Sequence, residues 1–93
     1  MQVVYKYRLE WKPVQVLKLP LKRVLTVQIQ DGAPCLWALV DPDTPDVSLP
    51  IQVVGTGTHD GCDFDKLQYI STTQVKAFVL HWFYERGDVN ART

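Results

Sequence analysis

With 93 residues, the chain is long enough for one hydrophobic core and too short for two, so any site must lie on the outside of that core or between copies of the chain. Hydrophobic residues make up 46% and charged residues 22%, ordinary globular values that exclude wholesale disorder. The formal net charge of zero gives no overall attraction to nucleic acid, and no apolar run approaches the roughly 20 residues of a membrane-spanning helix.

The sum conceals a split. Residues 1–30 carry six Lys or Arg (Lys6, Arg8, Lys12, Lys18, Lys22, Arg23) against one acid, Glu10. Residues 31–65 carry seven Asp and neither Lys nor Arg. In a sheet protein such halves either interleave and cancel or leave a dipolar surface; solvated faces and loops are the simpler expectation. The opening residues lack the basic-then-apolar order of an export signal, so a cytoplasmic location is expected. In that reducing setting Cys35 and Cys62 are expected to stay unpaired.

From the amino end, Val3, Tyr5, Tyr7, Leu9 and Trp11 alternate with polar and charged positions, the period of a strand with one packed and one wet face. Pro13 ends it. Residues 14–19 form a shorter run closed by Pro20, expected at a sheet edge because proline cannot continue an interior ladder. Residues 22–30 place Leu25, Val27 and Ile29 on one side and lead into Asp31-Gly32, a strong hairpin signal because glycine tolerates positive φ. Residues 35–40 are apolar without a break, as a central strand covered on both faces would be. Residues 41–50, rich in Pro and Asp, predict a long exposed connection, after which 51–54 resume as a strand.

Residues 55–61 carry three glycines, which predict a bend or bulge, and 62–66 stay irregular with at most one helical turn. Residues 67–73 are strand-like. Residues 74–86 fit both helical and strand spacing, and their aromatic and β-branched content favours a strand. The count of about seven strands predicts a single all-β domain over 1–86, an antiparallel sandwich or small barrel, with 87–93 as a flexible tail.

Chemistry is not announced. Gly55, Thr56, Gly57, Thr58 and His59 would suit a backbone cradle for a nucleotide or other small ligand, yet the Lys-Ser or Lys-Thr pair of a phosphate-binding loop is missing. His59 and Cys62 lack the paired spacing of a zinc site, and the sequence from Asp60 to Asp65 does not fit a calcium loop, so no metal or cofactor is expected. His59 beside Asp60, Asp63 or Asp65 resembles a base with its orienting carboxylate, but the pairing is common by chance and no catalytic residue is assigned. Strand aromatics beside Lys and Arg can stack bases, though zero net charge weighs against nucleic acid as a partner. The acidic loops, with Asp41, Asp43, Asp46, Asp60, Asp63 and Asp65, are the expected partner-binding positions, able to imitate nucleic-acid phosphates toward a protein.

Lys6-Tyr7, Leu19-Pro20, Val-Gln-Ile-Gln at 27–30, Leu-Trp-Ala-Leu-Val-Asp at 36–41, Val-Gly-Thr-Gly at 54–57, Tyr-Ile-Ser-Thr at 69–72 and the closing block at 78–85 resemble an uncharacterised small domain family of tailed bacteriophages and bacteria. The family's Gly-Thr-Gly is usually followed directly by His; here Thr58 intervenes before His59. The resemblance implies a compact β fold, a phage or prophage context and no catalytic residue. Expected functions are stoichiometric binding to a host protein, for instance inhibition of a defence or nuclease complex, or nucleotide binding by the 55–59 loop, with a homodimer as a further expectation.

Overall fold

The computed structural model describes residues 1–58 and 61–85, which form seven strands and one short 3-10 turn; the tail expected at 87–93 lies outside them. The strands are β1 (Val3–Arg8), β2 (Val14–Leu19), β3 (Leu21–Gln30), β4 (Ala33–Val40), β5 (Val47–Gly55), β6 (Leu67–Val75) and β7 (Phe78–Glu85). They pair antiparallel in two sheets, β1-β4-β3 and β2-β5-β7-β6, the all-β sandwich expected from the strand count. The molecule is flat, 41 × 31 × 16 Å between Cα extremes, as two stacked sheets require.

The apolar run of β4 is the middle of its sheet. Leu36, Ala38 and Val40 are sealed from solvent and meet Val27 of β3, Leu19 of β2, Leu49 and Ile51 of β5 and Trp82 of β7. Trp82 is the largest of these, and its indole N–H donates to Thr73 Oγ1 at 2.9 Å, so the core's most bulky member leaves no orphaned donor. The β3–β4 hairpin turns on Asp31 (φ 52°) and Gly32 (φ 79°), the two positive dihedrals of a type I′ turn.

One side of the sandwich is clasped by a side chain. Ser71 Oγ donates to the carbonyl of Val27 at 2.7 Å and accepts from the Val27 N–H at 3.1 Å, tying the edge of β6 to the edge of β3. A register shift between Tyr69 and Ser71 makes Ile70 the extra residue of β6 and turns the hydroxyl toward β3.

Four details depart from the sequence reading. β1 stops at Arg8, and Trp11 lies in the following loop with its ring 6.4 Å from that of Trp82. A register shift between Val24 and Thr26 leaves Leu25 exposed while Val24 and Val27 point inward. The 41–50 connection is shorter than expected, because β5 begins at Val47 and carries Pro50 one residue before its ladder with β7 starts, a position that proline tolerates. Residues 74–86 are not one strand: 74 and 75 complete β6, Lys76 and Ala77 form the turn, and β7 follows.

Candidate functional site

β5 and β6 run parallel on either side of β7, so the chain between them must cross β7. The inner face is filled by the core, and the crossing is made outside. Ile51 and Val53 pack inward, which turns Gln52 and Val54 outward, and opposite residues on β7, Phe83 and His81, share that outer side. Residues 56–58 and 61–66, the described parts of this connection, act as a strap over this face. Gln52 Nε2 donates to Cys62 Sγ, and Phe64 of the strap meets Phe83 edge-to-face at 5.6 Å. Val54, 5% exposed yet outside the central core, is covered on this outer side.

Strap and sheet together build an aromatic patch. Phe83 is contacted by Phe64 from the strap and by Tyr69 from β6, whose ring lies 5.8 Å away, again edge-on. Phe64 stays 45% exposed and Tyr69 53% exposed, so two of the three rings offer surface. Phe64 is presented by the 3-10 turn Phe64–Lys66, which Asp63 caps by accepting from Asp65 N at 3.2 Å. Beside the patch runs a polar relay. Tyr69 hydroxyl is 2.7 Å from Thr72 Oγ1, Thr72 Oγ1 is 3.0 Å from His81 Nδ1, and His81 Nε2 is 2.8 Å from Thr56 Oγ1. Both nitrogens of His81 are thus engaged by threonine hydroxyls, which fixes the imidazole as a bridge from strap to sheet rather than as a base oriented by a carboxylate.

The glycine loop is used internally. Thr58 N donates to the carbonyl of Gly55 at 3.2 Å and Gly57 has φ 86°, the third position of a type II turn. Thr58 Oγ1 bonds the same carbonyl and Thr56 N donates to Val79 O, so these two amides point at protein carbonyls and not into a phosphate cradle. His59 and Asp60 lie outside the described residues.

The expected acidic positions separate into two groups. Asp41, Asp43 and Asp46 lie in the β4–β5 connection, where Asp41 accepts from Asp43 N at 3.0 Å and the Met1 ammonium is 3.3 Å from Asp41 and 3.5 Å from Asp43. The Asp43 amide, joined by the neighbouring ammonium and Lys22, holds the Asp41 carboxyl below its ordinary range against the opposing cost of burial. Burial, then the charge of Asp46, pushes the Tyr7 phenol up. Asp63 and Asp65 belong instead to the strap, beside Phe64. Cys35 and Cys62 are both free thiols, and among the described residues no three His, Cys, Asp or Glu are placed to hold a metal. No helix among them is long and apolar enough to cross a membrane.

The sequence singled out the acids of the strap and offered the aromatics only as a class, since Phe64, Tyr69 and Phe83 converge only through the β6–β7 register and the crossing over β7. A family model described as a domain of unknown function (DUF7352) matches residues 1–92. No curated protein and no solved structure matches the chain.

Proposed function

Since the chain belongs to that uncharacterised family over nearly its whole length, we propose a function from surface chemistry: it is a stoichiometric protein-binding domain that docks through the strapped outer face of its second sheet. One observation carries this reading, the half-exposed aromatic pair Phe64 and Tyr69 braced against Phe83. Rings held by neighbours lose little entropy when a partner covers them, and aromatic anchors dominate the energetics of protein interfaces. Asp63 and Asp65 at the rim would steer a basic partner and set its orientation. In the phage or prophage context suggested by the blocks at 36–41 and 54–57, the proposed partner is a host protein in the cytoplasm, such as a defence or nuclease component.

The test is affinity capture from host lysate with the wild-type chain, followed by titration of the recovered partner against variants. Phe64→Ser and Tyr69→Ser are each expected to weaken binding by about 2 kcal/mol, roughly thirtyfold. Asp65→Asn should mainly slow association and reduce its salt dependence. Unchanged affinity of a folded double Phe64→Ser, Tyr69→Ser variant would remove the strap face as the contact.

A further inference from the structure

The opposite face of the sandwich has a different chemistry. β1, β4 and β3 contain four cations, Lys6, Arg8, Lys22 and Arg23, and not one Asp or Glu. Among the described residues the acids lie outside these strands: Asp31 in the hairpin turn, Asp41, Asp43 and Asp46 in the β4–β5 connection, Asp63 and Asp65 in the strap, Glu10 in the β1–β2 loop and Glu85 at the end of β7. Lys22 acts on Asp41, whereas none of the ion pairs among the described residues uses Lys6, Arg8 or Arg23, so the zero net charge does not describe the outer face of this sheet.

Register fixes which cations face outward. Leu36, Ala38 and Val40 point into the core, so Cys35, Trp37 and Leu39 of β4 point out, and their partners on both sides share that face. Trp37 stands between Lys6 and Thr26, Cys35 between Arg8 and Gln28, and Leu39 between Val4 and Arg23. Lys6 Nζ bonds Gln30 Oε1 across β4, so the lysine stem lies over the sheet while its charge is held at the surface. Lys6 and Arg8, two residues apart on one strand, are separated by about 6.7 Å, and Arg23 lies two strands away, about 10 Å across the sheet.

We propose that this face binds single-stranded nucleic acid, with Lys6, Arg8 and Arg23 on phosphates and a base stacked on Trp37. Charge complementarity calls for a polyanion. The partly exposed indole set among the cations, with Gln28 beside it, whose amide nitrogen donates to Thr26 Oγ1 at 3.0 Å and whose carbonyl oxygen is the group offered to a base, selects one that carries flat, hydrogen-bonding rings. An acidic protein segment would use the cations and leave the indole without a function. A duplex would meet this flat sheet only through its backbone, its bases already stacked on each other. The face is opposite the strap, so this inference stands independently of the protein-binding proposal.

The experiment measures anisotropy of a fluorescein-labelled oligothymidylate titrated with the full chain over a range of salt concentrations. Three phosphate contacts on a single strand predict a slope of log K against log salt of about −2. The triple variant Lys6→Gln, Arg8→Gln, Arg23→Gln is expected to weaken binding at low salt by about tenfold or more and to flatten that slope. Trp37→Leu is expected to weaken binding about fivefold or more with the slope kept, because stacking carries no counterion release. Urea unfolding of each variant checks the fold; should the triple variant be unstable, Arg8→Gln alone should reduce the slope by about 0.7. Failure to bind the oligonucleotide at low salt, equal binding of polyglutamate, or tighter binding of a duplex of equal length would each overturn the proposal.

Discussion

Ser71→Ala isolates the clasp that closes one side of the sandwich. Val27 is fully buried, and its N–H and C=O are both satisfied by the Ser71 hydroxyl, at 3.1 and 2.7 Å. As β3 is the outer strand of its sheet, these groups face away from β4, and the alanine variant would leave the N–H without a partner in the protein and the C=O with only the long 3.5 Å contact from the Thr26 hydroxyl. An orphaned buried polar group costs about 1–3 kcal/mol; with partial relief from entering water, the pair is expected to cost about 3 kcal/mol in total. That is a large share of the roughly 5–15 kcal/mol that holds a domain together. At about 4–8 °C per kcal/mol for a domain of this size, Tm should fall by roughly 12–24 °C. Urea unfolding and calorimetry measure the loss, and Ser71→Thr, which retains the hydroxyl, should recover most of it. A loss below about 0.5 kcal/mol, the range of an ordinary surface substitution, would refute the assignment of the clasp as a stabilising link.

The β6–β7 turn places Lys76 at φ 55°, where a side chain is strained, so Lys76→Gly should stabilise the domain by up to about 1 kcal/mol after glycine's entropy cost, read as a higher urea midpoint. Asp41 is depressed in the folded state chiefly by the Asp43 amide, so its contribution is present above the unfolded carboxylate value and is lost as pH falls through the folded one. Carbon-detected NMR titration should find Asp41 still ionised where ordinary aspartates have protonated, and Asp41→Asn should flatten the acid limb of the stability profile.

Most of the architecture was legible because it rests on patterning that a local reading can detect. The apolar run 35–40 marks the middle strand, although its outward Trp37 and Leu39 stay partly exposed and only the inner face is sealed by the second sheet; Asp31-Gly32 admits little except a tight turn, and Pro20 ends β2 where expected. The failures share a cause as well. Lys76 and Ala77 carry no glycine, proline, asparagine or aspartate, so the turn between Val75 and Phe78 is imposed by pairing of the flanking strands and left no mark in composition. Leu25 has the right parity for the core, but the shift beside it resets the alternation and sends it outward. Pro50 looked like part of a loop because proline argues against a strand in general, whereas its effect depends on whether a neighbour requires its missing N–H.

The candidate surfaces were hidden for a deeper reason: each is a product of strand order. Gly55 and Gly57 suggested a bend between adjacent strands, and in an antiparallel meander they would have produced one. With β7 inserted between β5 and β6, the same residues must instead begin a crossing over the sheet, and the crossing is what carries Phe64 to Phe83 and Thr56 to His81. Likewise Lys6 and Arg23 are 17 positions apart in the chain and become parts of one face only because β4 lies between β1 and β3. Charge and aromatic counts taken along a chain describe what a protein has to work with. The order in which its strands pair decides which of those groups a partner meets together, and here that order separates an acidic, aromatic strap from a basic sheet on opposite sides of one core.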